Sequence, residues 1–514
     1  MNQVSERTKR IAKNSVYLYV RMFFTMLIAL YTSRAVLKTL GVEDYGIYNV
    51  VGGLVSMFSL ISTSLSSSTS RFLTFELGRG DNESLRRVFS TSLWVHIVLA
   101  AVVILVAETV GLWFLNTHMN ISPSRMLAAN VIYQASIVSF ALGLFSVPYS
   151  ATISSHERMD IFAGIGMLES VLKLMAVLFL VYIPFMYDKL IMYSIMLMSI
   201  GVLMQSIYFI YCHRHFPECR LQHSFDRQRW KEISSFAGWN FIGCTAGLMK
   251  GQGVNILINL FFGTAVNAAR GISETINIHV NSFAGNFISA VYPQITKSYA
   301  AGDYSYTYSL VERGSRFSYY AILIVALPII LETDFILHLW LGSYPEHTVN
   351  FARLVLVTLL IDTLSNTLIN LQSATGRIRN YQIAVGGMLL MNFPFSYICL
   401  KAGLEPEYTY VVAIFFSICC LSLRLYFLKR MTSFSPASFI RNVCCNVIIV
   451  TSIALIIPVL IHYYMSSGLL RFVISTIISI LSTIITIYVV GCSYSEKKFL
   501  KEKSSMLLFK RFRV

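Results

Sequence analysis

Apolar runs long enough to cross a bilayer recur from one end of this chain to the other, and no other feature limits its possible folds as much. The segments Val98 to Ala107, Val171 to Ile183, Ala321 to Leu331, Val411 to Leu421 and Val473 to Val490 are the cores of stretches that reach the ~20 apolar residues needed to span a ~30 Å hydrocarbon layer. Strands of a membrane barrel would be ~10 residues long and alternate in polarity, which these do not. The chain is 55% hydrophobic and 13% charged, against the roughly 25% charged usage of soluble domains, so a soluble fold is excluded. The reading is an all-α membrane protein of about 14 transmembrane helices, near 15–37, 48–70, 90–115, 127–149, 161–182, 190–211, 237–262, 268–295, 317–341, 352–374, 382–402, 408–428, 443–464 and 471–492. The first of these follows a basic start but holds Arg21 and Arg34 and lacks a small-residue cleavage site, so it reads as a helix rather than a removed signal peptide.

The net charge of +16 would suggest nucleic acid only if a soluble face existed to collect it, and none is present. Its distribution follows the positive-inside rule. Of the 41 Lys and Arg, 29 fall on the side of the amino terminus, six on the opposite side and six within spans, which places both termini in the cytoplasm. The nine cysteines form no metal-ligand spacing and read as small apolar residues. Neither a metal nor a cofactor is called for. The tail from Tyr494 to Val514 interleaves bases with Phe499, Leu507, Leu508 and Phe512 and reads as a surface helix on anionic lipid.

An internal repeat organises the chain. Leu40-Gly41 returns as Phe262-Gly263 and Gly80-Asp81 as Gly302-Asp303, both 222 residues later; Ser150-Ala151-Thr152 returns as Ser373-Ala374-Thr375 at 223, and Glu108-Thr109 as Glu332-Thr333 at 224. Six spans separate the copies, an even number, so the halves are parallel repeats. The expected division is a six-helix lobe over 1–211, a cytoplasmic linker over 212–236, a second six-helix lobe over 237–428, an extra helix pair over 443–492 and a basic tail over 493–514.

The segment LGVEDYGIY from Leu40 to Tyr48, the following Gly52-Gly53, and FELGRGD from Phe75 to Asp81 resemble the amino-terminal half of bacterial polysaccharide exporters in the multidrug/oligosaccharidyl-lipid/polysaccharide superfamily, which includes O-antigen and lipid II flippases. The resemblance implies a V-shaped central cavity between the lobes and alternating access. It implies a bacterial inner-membrane location, and a cargo of undecaprenyl-diphosphate-linked oligosaccharide such as an O-antigen unit of lipopolysaccharide. Glycosyltransferases and a polysaccharide polymerase are then possible partners.

Charge inside a membrane costs at least ~2.5–3.5 kcal/mol on insertion scales, so each instance is a candidate for function. Asn14, Arg21, Thr25 and Thr32 share one face of the first helix, although Arg21 and Arg34 are each within reach of an interface to which they could snorkel. Lys250 sits mid-span in the seventh helix with Asn255 near it, where Gly243, Gly247 and Gly251 read as a packing face. Asn267, Arg270, Glu274, Asn277 and Asn281 line up on the eighth, with Arg270 and Glu274 one turn apart and able to neutralise each other. Arg21, Lys250, Arg270 and Arg34 are the candidate grip on a diphosphate; Asn14, Thr25, Asn255, Glu274, Asn277 and Asn281 are the candidate polar lining. Asp362, mid-span with no basic residue one turn away, is expected to be unpaired and to bind a coupling ion. Glu169 and Lys173 read as a self-neutralised pair, and Glu332 as lying near the outer interface.

Two other functions compete. A drug or small-cation antiporter of the same superfamily would favour a carboxylate-lined cavity, and a polyprenol-dependent glycosyltransferase or polymerase generally needs a sizeable outer loop. The outer loops here are around ten residues or fewer, and no phosphate-cradling Gly-Lys-Ser motif occurs.

Overall fold

The computed structural model describes residues 2–56, 58–119, 121–182, 188–220, 226–494 and 496–498, and every regular element among them is a helix. Contacts gather the chain into two compact units, Met1–Thr245 with Ser289–Tyr304 and Ser373–Gln382, and Ala246–Ile288 with Ser305–Gln372 and Ile383–Val514. The first unit is built from α1 (Asn2–Ser56), α2 (Ser59–Arg79), α3 (Asn82–Val106), α4 (Leu112–His118), α5 (Met126–Ser155), α6 (Met159–Tyr182), α7 (Lys189–His215) and both ends of α8 (Arg227–Ala300). The middle of α8 belongs to the second unit, with α9 (Tyr304–Leu331), α10 (Thr333–Leu341), α11 (Thr348–Thr363), α12 (Asn366–Thr375), α13 (Arg379–Lys401), α14 (Tyr408–Met431), α15 (Pro436–Phe439), α16 (Asn446–Tyr464) and α17 (Leu469–Thr486).

Eleven described helices are long and apolar enough to cross a membrane, against the fourteen expected. The difference falls on 48–70, 237–262 and 268–295, which are helical apart from a break near Phe58 but carry the polar stripes. Large apolar side chains face outward throughout: Leu105, Leu260, Ile448 and Leu470 are 65%, 73%, 63% and 69% exposed. Water would penalise that surface; lipid does not.

Helices overrun the expected spans. The loop expected around 71–89 is mostly helix, because hydropathy marks where a chain leaves the hydrocarbon and not where backbone hydrogen bonding stops. Gly80 ends α2 at φ 74, its N–H reaching the carbonyls of Glu76 and Leu77, and Asp81 caps α3 by accepting from the Ser84 amide at 3.0 Å, the geometry of a left-handed helix stop followed by an N-cap.

The repeated glycines share a backbone conformation. Gly41 (φ 82, ψ 172) bends α1 and Gly263 (φ 79, ψ −169) bends α8, while Gly80 and Gly302 lie at φ 74 and 77. A side chain is strained at the first two, where the region is essentially reserved for glycine. The expected connections after Leu40 and Phe262 are thus sharp glycine kinks, each dividing one long stretch, α1 or α8, into two helices.

Buried ionic ties hold distant segments to their units. Glu157, itself at φ 60, accepts from Gln294, from Lys297 Nζ at 2.8 Å and from Arg10 at 3.5 Å, while its backbone carbonyl accepts from Asn14 at 3.1 Å. Arg71 donates to the carbonyls of Ser373 and Ala374 at 3.2 and 3.1 Å. These bonds help account for 289–304 and 373–382 belonging to the first unit. In the second, Glu332 is 1% exposed, accepting from Arg471 at 3.1 Å and paired with His462 at 3.0 Å. It stands at the break between α9 and α10, inside what reads as one span, and its partners come from α16 and α17, more than a hundred residues away.

Gly41→Ala and Gly263→Ala should each cost about 1–3 kcal/mol, whereas Gly52→Ala, which meets open space and no positive φ, should be close to neutral. Thermal unfolding of the detergent-solubilised variants reads this, and equal midpoints for all three would contradict the strain argument.

Candidate functional site

The bend at Gly263 lets the two halves of α8 run back along each other, so that Arg270 Nη2 donates to the Gly251 carbonyl at 3.4 Å. Lys250 stands before the bend and Arg270, Glu274, Asn277 and Asn281 after it. All five line a cavity of about 310 Å³ inside the second unit. Asp362 of α11, Asn366 of α12, Asn392 of α13 and Tyr410 of α14 complete its polar wall. Gly247 and Gly251 line it too, with open space where a Cβ would stand, whereas the Cβ position of Gly243 is filled by Gln382. The glycine stripe thus packs at one member and opens the cavity at two.

The charges in the cavity are matched. Lys250 Nζ lies 3.2 Å from Asp362 Oδ2 and 3.1 Å from Ser417 Oγ. Asp362 is therefore not the unpaired carboxylate expected from its own helix; its partner arrives from α8, 112 residues away, at a distance no local spacing reports. Arg270, 6% exposed, lies 3.6 Å from Glu274 and over the Tyr410 ring at 5.1 Å, and Asn277 Nδ2 donates to Glu274 at 2.9 Å. Two cations face two carboxylates, so the resting wall is polar but neutral. Just outside the membrane-spanning stretch that begins at Tyr408, Glu407 is bonded by His347 and by Asn350. Burial pushes that carboxyl up, and these hydrogen bonds outweigh it and hold it below its usual range.

The remaining candidates lie elsewhere. In the first unit Arg21 stacks on Phe162 at 4.7 Å and closes on Gly166, Arg34 is exposed on α1, and Thr25 bonds the Met22 carbonyl of its own helix. Asn14 is only 5% exposed and donates to the Glu157 carbonyl, which ties α1 to the α5–α6 turn. Asn255 is half-buried on α8 outside the lining. Of the basic tail, Phe499 to Val514 lie outside the described residues. Asn392, Tyr410 and Ser417 were not singled out from sequence; a lone asparagine mid-span in 382–402 was the one available signal.

The first unit has a cavity of its own, about 790 Å³, whose wall includes Tyr48, Gly52, Val55, Ser139, Gly143 and the Glu169–Lys173 pair, 2.6 Å apart. The repeat register connects the two cavities. Adding 222 to Tyr48, Gly52 and Val55 gives Arg270, Glu274 and Asn277, and adding 223 to Ser139, Gly143 and Glu169 gives Asp362, Asn366 and Asn392. Corresponding positions thus line both.

Removing one member of the Lys250–Asp362 pair should hurt more than removing both. The pair is 17% and 43% exposed, between the exposed and buried limits, so Lys250→Met or Asp362→Leu alone should cost about 1–3 kcal/mol and the double variant less. Folded protein recovered from membranes measures it; a double variant no better than the worse single would show that the two do not depend on each other.

A model of the polysaccharide biosynthesis protein family matches residues 11–334. The chain is similar to the uncharacterized membrane protein EpsK of Bacillus subtilis strain 168, at 22% identity over 325 residues, covering 62% of this chain and 63% of that one, just under two thirds of the relative's length. Among solved structures, an outward-facing multidrug resistance MATE family transporter of the MOP superfamily matches with a TM-score of 0.72 at 13% identity, over 84% of this chain and 97% of that one. A MOP superfamily transporter from Pyrococcus furiosus, described as having a binding pocket of reversed polarity, matches with a TM-score of 0.69 at 13% identity, over 84% and 96%. Likeness at that identity establishes the fold, and the family match goes further: this multi-pass, all-helical membrane protein belongs to the polysaccharide biosynthesis protein family.

Proposed function

We propose that the protein is a flippase that moves an undecaprenyl-diphosphate-linked oligosaccharide, an O-antigen or other surface polysaccharide unit, from the cytoplasmic to the outer leaflet of the bacterial inner membrane by alternating access. The observation that carries the proposal is the placing of Lys250 and Arg270 on one cavity of an otherwise apolar chain in a family named for polysaccharide biosynthesis. A diphosphate entering low dielectric needs cations with directed donors, which a guanidinium fork and a mobile ammonium provide. Because both cations rest on carboxylates, cargo must draw them away. Asp362, released from Lys250, then takes up a coupling cation, a proton included, which gives transport a direction. Arg21 and Arg34 are candidates to meet the diphosphate elsewhere on its path. Both termini lie in the cytoplasm, where the glycosyltransferases that build the cargo work, and a polymerase takes it up outside.

A drug-cation antiporter is the weaker reading, since both carboxylates of the cavity already hold cations of the protein's own. Deleting the gene should abolish surface polysaccharide and accumulate lipid-linked oligosaccharide in the cell. Wild-type protein should restore export, and Arg270→Gln should not at normal membrane abundance. Unchanged surface polysaccharide in the deletion strain would sink the proposal, and full rescue by Arg270→Gln would sink the charged grip.

A further inference from the structure

We infer that the cavity of the second unit seats a sugar ring of the cargo, with the amides of Asn277, Asn281, Asn366 and Asn392 holding its hydroxyls. The inference rests on the export reading: a diphosphate drawn to Lys250 and Arg270 carries its first sugar directly bonded to it, and the asparagines share the wall of the same cavity.

The unmet hydrogen bonds identify the chemistry. Asn392 is fully buried, and its Oδ1 accepts from Ser396 at 3.1 Å, which fixes the amide and leaves Nδ2 without a partner. Asn277 gives its Nδ2 to Glu274 and leaves Oδ1 without one, and the Tyr410 hydroxyl is also unmatched. One wall therefore holds an unmet donor, an unmet acceptor and a group that can be either. Buried polar groups are rarely left so. An ionised phosphate only accepts, so it answers Asn392 Nδ2 and the Tyr410 hydroxyl but not Asn277 Oδ1; a lipid chain answers none, and a hydroxyl, being donor and acceptor at once, answers all three. The charged members of the wall are already matched, so what remains calls for a neutral polyhydroxylated ligand.

The test uses two probes on the purified full chain in nanodiscs. One is the free oligosaccharide released by mild acid from the producing cells' own lipid-linked pool, which carries the native sugars without lipid or phosphate; the other is inorganic pyrophosphate. Saturation-transfer NMR should detect the oligosaccharide on wild-type protein, and Asn392→Leu should weaken it at least tenfold. That variant removes the unmet donor together with the acceptor that Ser396 uses, so the thermal midpoint of the empty protein is measured beside it; Asn366→Ala serves as a second variant should Asn392→Leu misfold. Equal binding by wild type and variants, or binding of pyrophosphate alone, overturns the assignment. Proteoliposome transport of the intact lipid-linked pool separates the two readings. Sugar binding without transport leaves the cavity assignment and removes the flippase, whereas transport without sugar binding does the reverse.

Discussion

A polar group inside hydrocarbon has to find its partner within the protein, because the lipid offers none. Most of the tertiary ties described follow from that constraint. Lys250 and Asp362 find each other across 112 residues, and Glu332 collects Arg471 and His462; Glu157, buried in the turn between two spans, collects Lys297, Gln294 and Arg10 because burial leaves it no water. Apolar burial contributes little specificity here, since a leucine facing a neighbouring helix and one facing lipid are nearly equivalent. What fixes which helix meets which is the small set of charges and amides that cannot be left alone.

That same constraint decides how much could be read from the sequence. Helical class and the positions of most spans were legible, because a run of apolar residues states its own environment. The glycine repeat was legible as well, since Gly41 and Gly263 mark bends that few other residues tolerate. Partners were not. Asp362 looked unpaired because helical spacing reports only its own turn, and Asn14 looked cavity-facing because a stripe on one helix says which residues share a face but not what that face meets. Glu332 shows the same limit, its partners His462 and Arg471 standing on α16 and α17. Of the three expected spans not among the eleven, two lie in the bent helix that lines the cavity and fall short because they carry its polar residues, while 48–70 is divided near Phe58. A feature that weakens the membrane signal is thus the feature that builds the site.

The match of charges changes how a grip on cargo has to work. A wall of free cations would hold a diphosphate tightly and release it poorly, and it would be costly when empty. A neutral wall of two ion pairs is tolerable when empty, and it offers its cations only in exchange for what the carboxylates take up. Binding then couples to a second event by the arithmetic of charge alone, without a separate coupling site.

The two cavities show what duplication left open. Corresponding residues line both, so the scaffold of bent helix and crossing neighbours came with the repeat, but the chemistry did not. Tyr48, Gly52 and Val55 in one place answer to Arg270, Glu274 and Asn277 in the other, and Ser139 answers to Asp362. Lys250 has Ile28 at the matching position. A handful of substitutions on an unchanged backbone therefore separates a wall with one ion pair from one with two and four asparagines. If helix packing alone required charge at these positions, both copies would carry it. At most of them only the second does, Glu169 opposite Asn392 being the reverse case, so a shared packing requirement does not account for the charges and amides of the second unit.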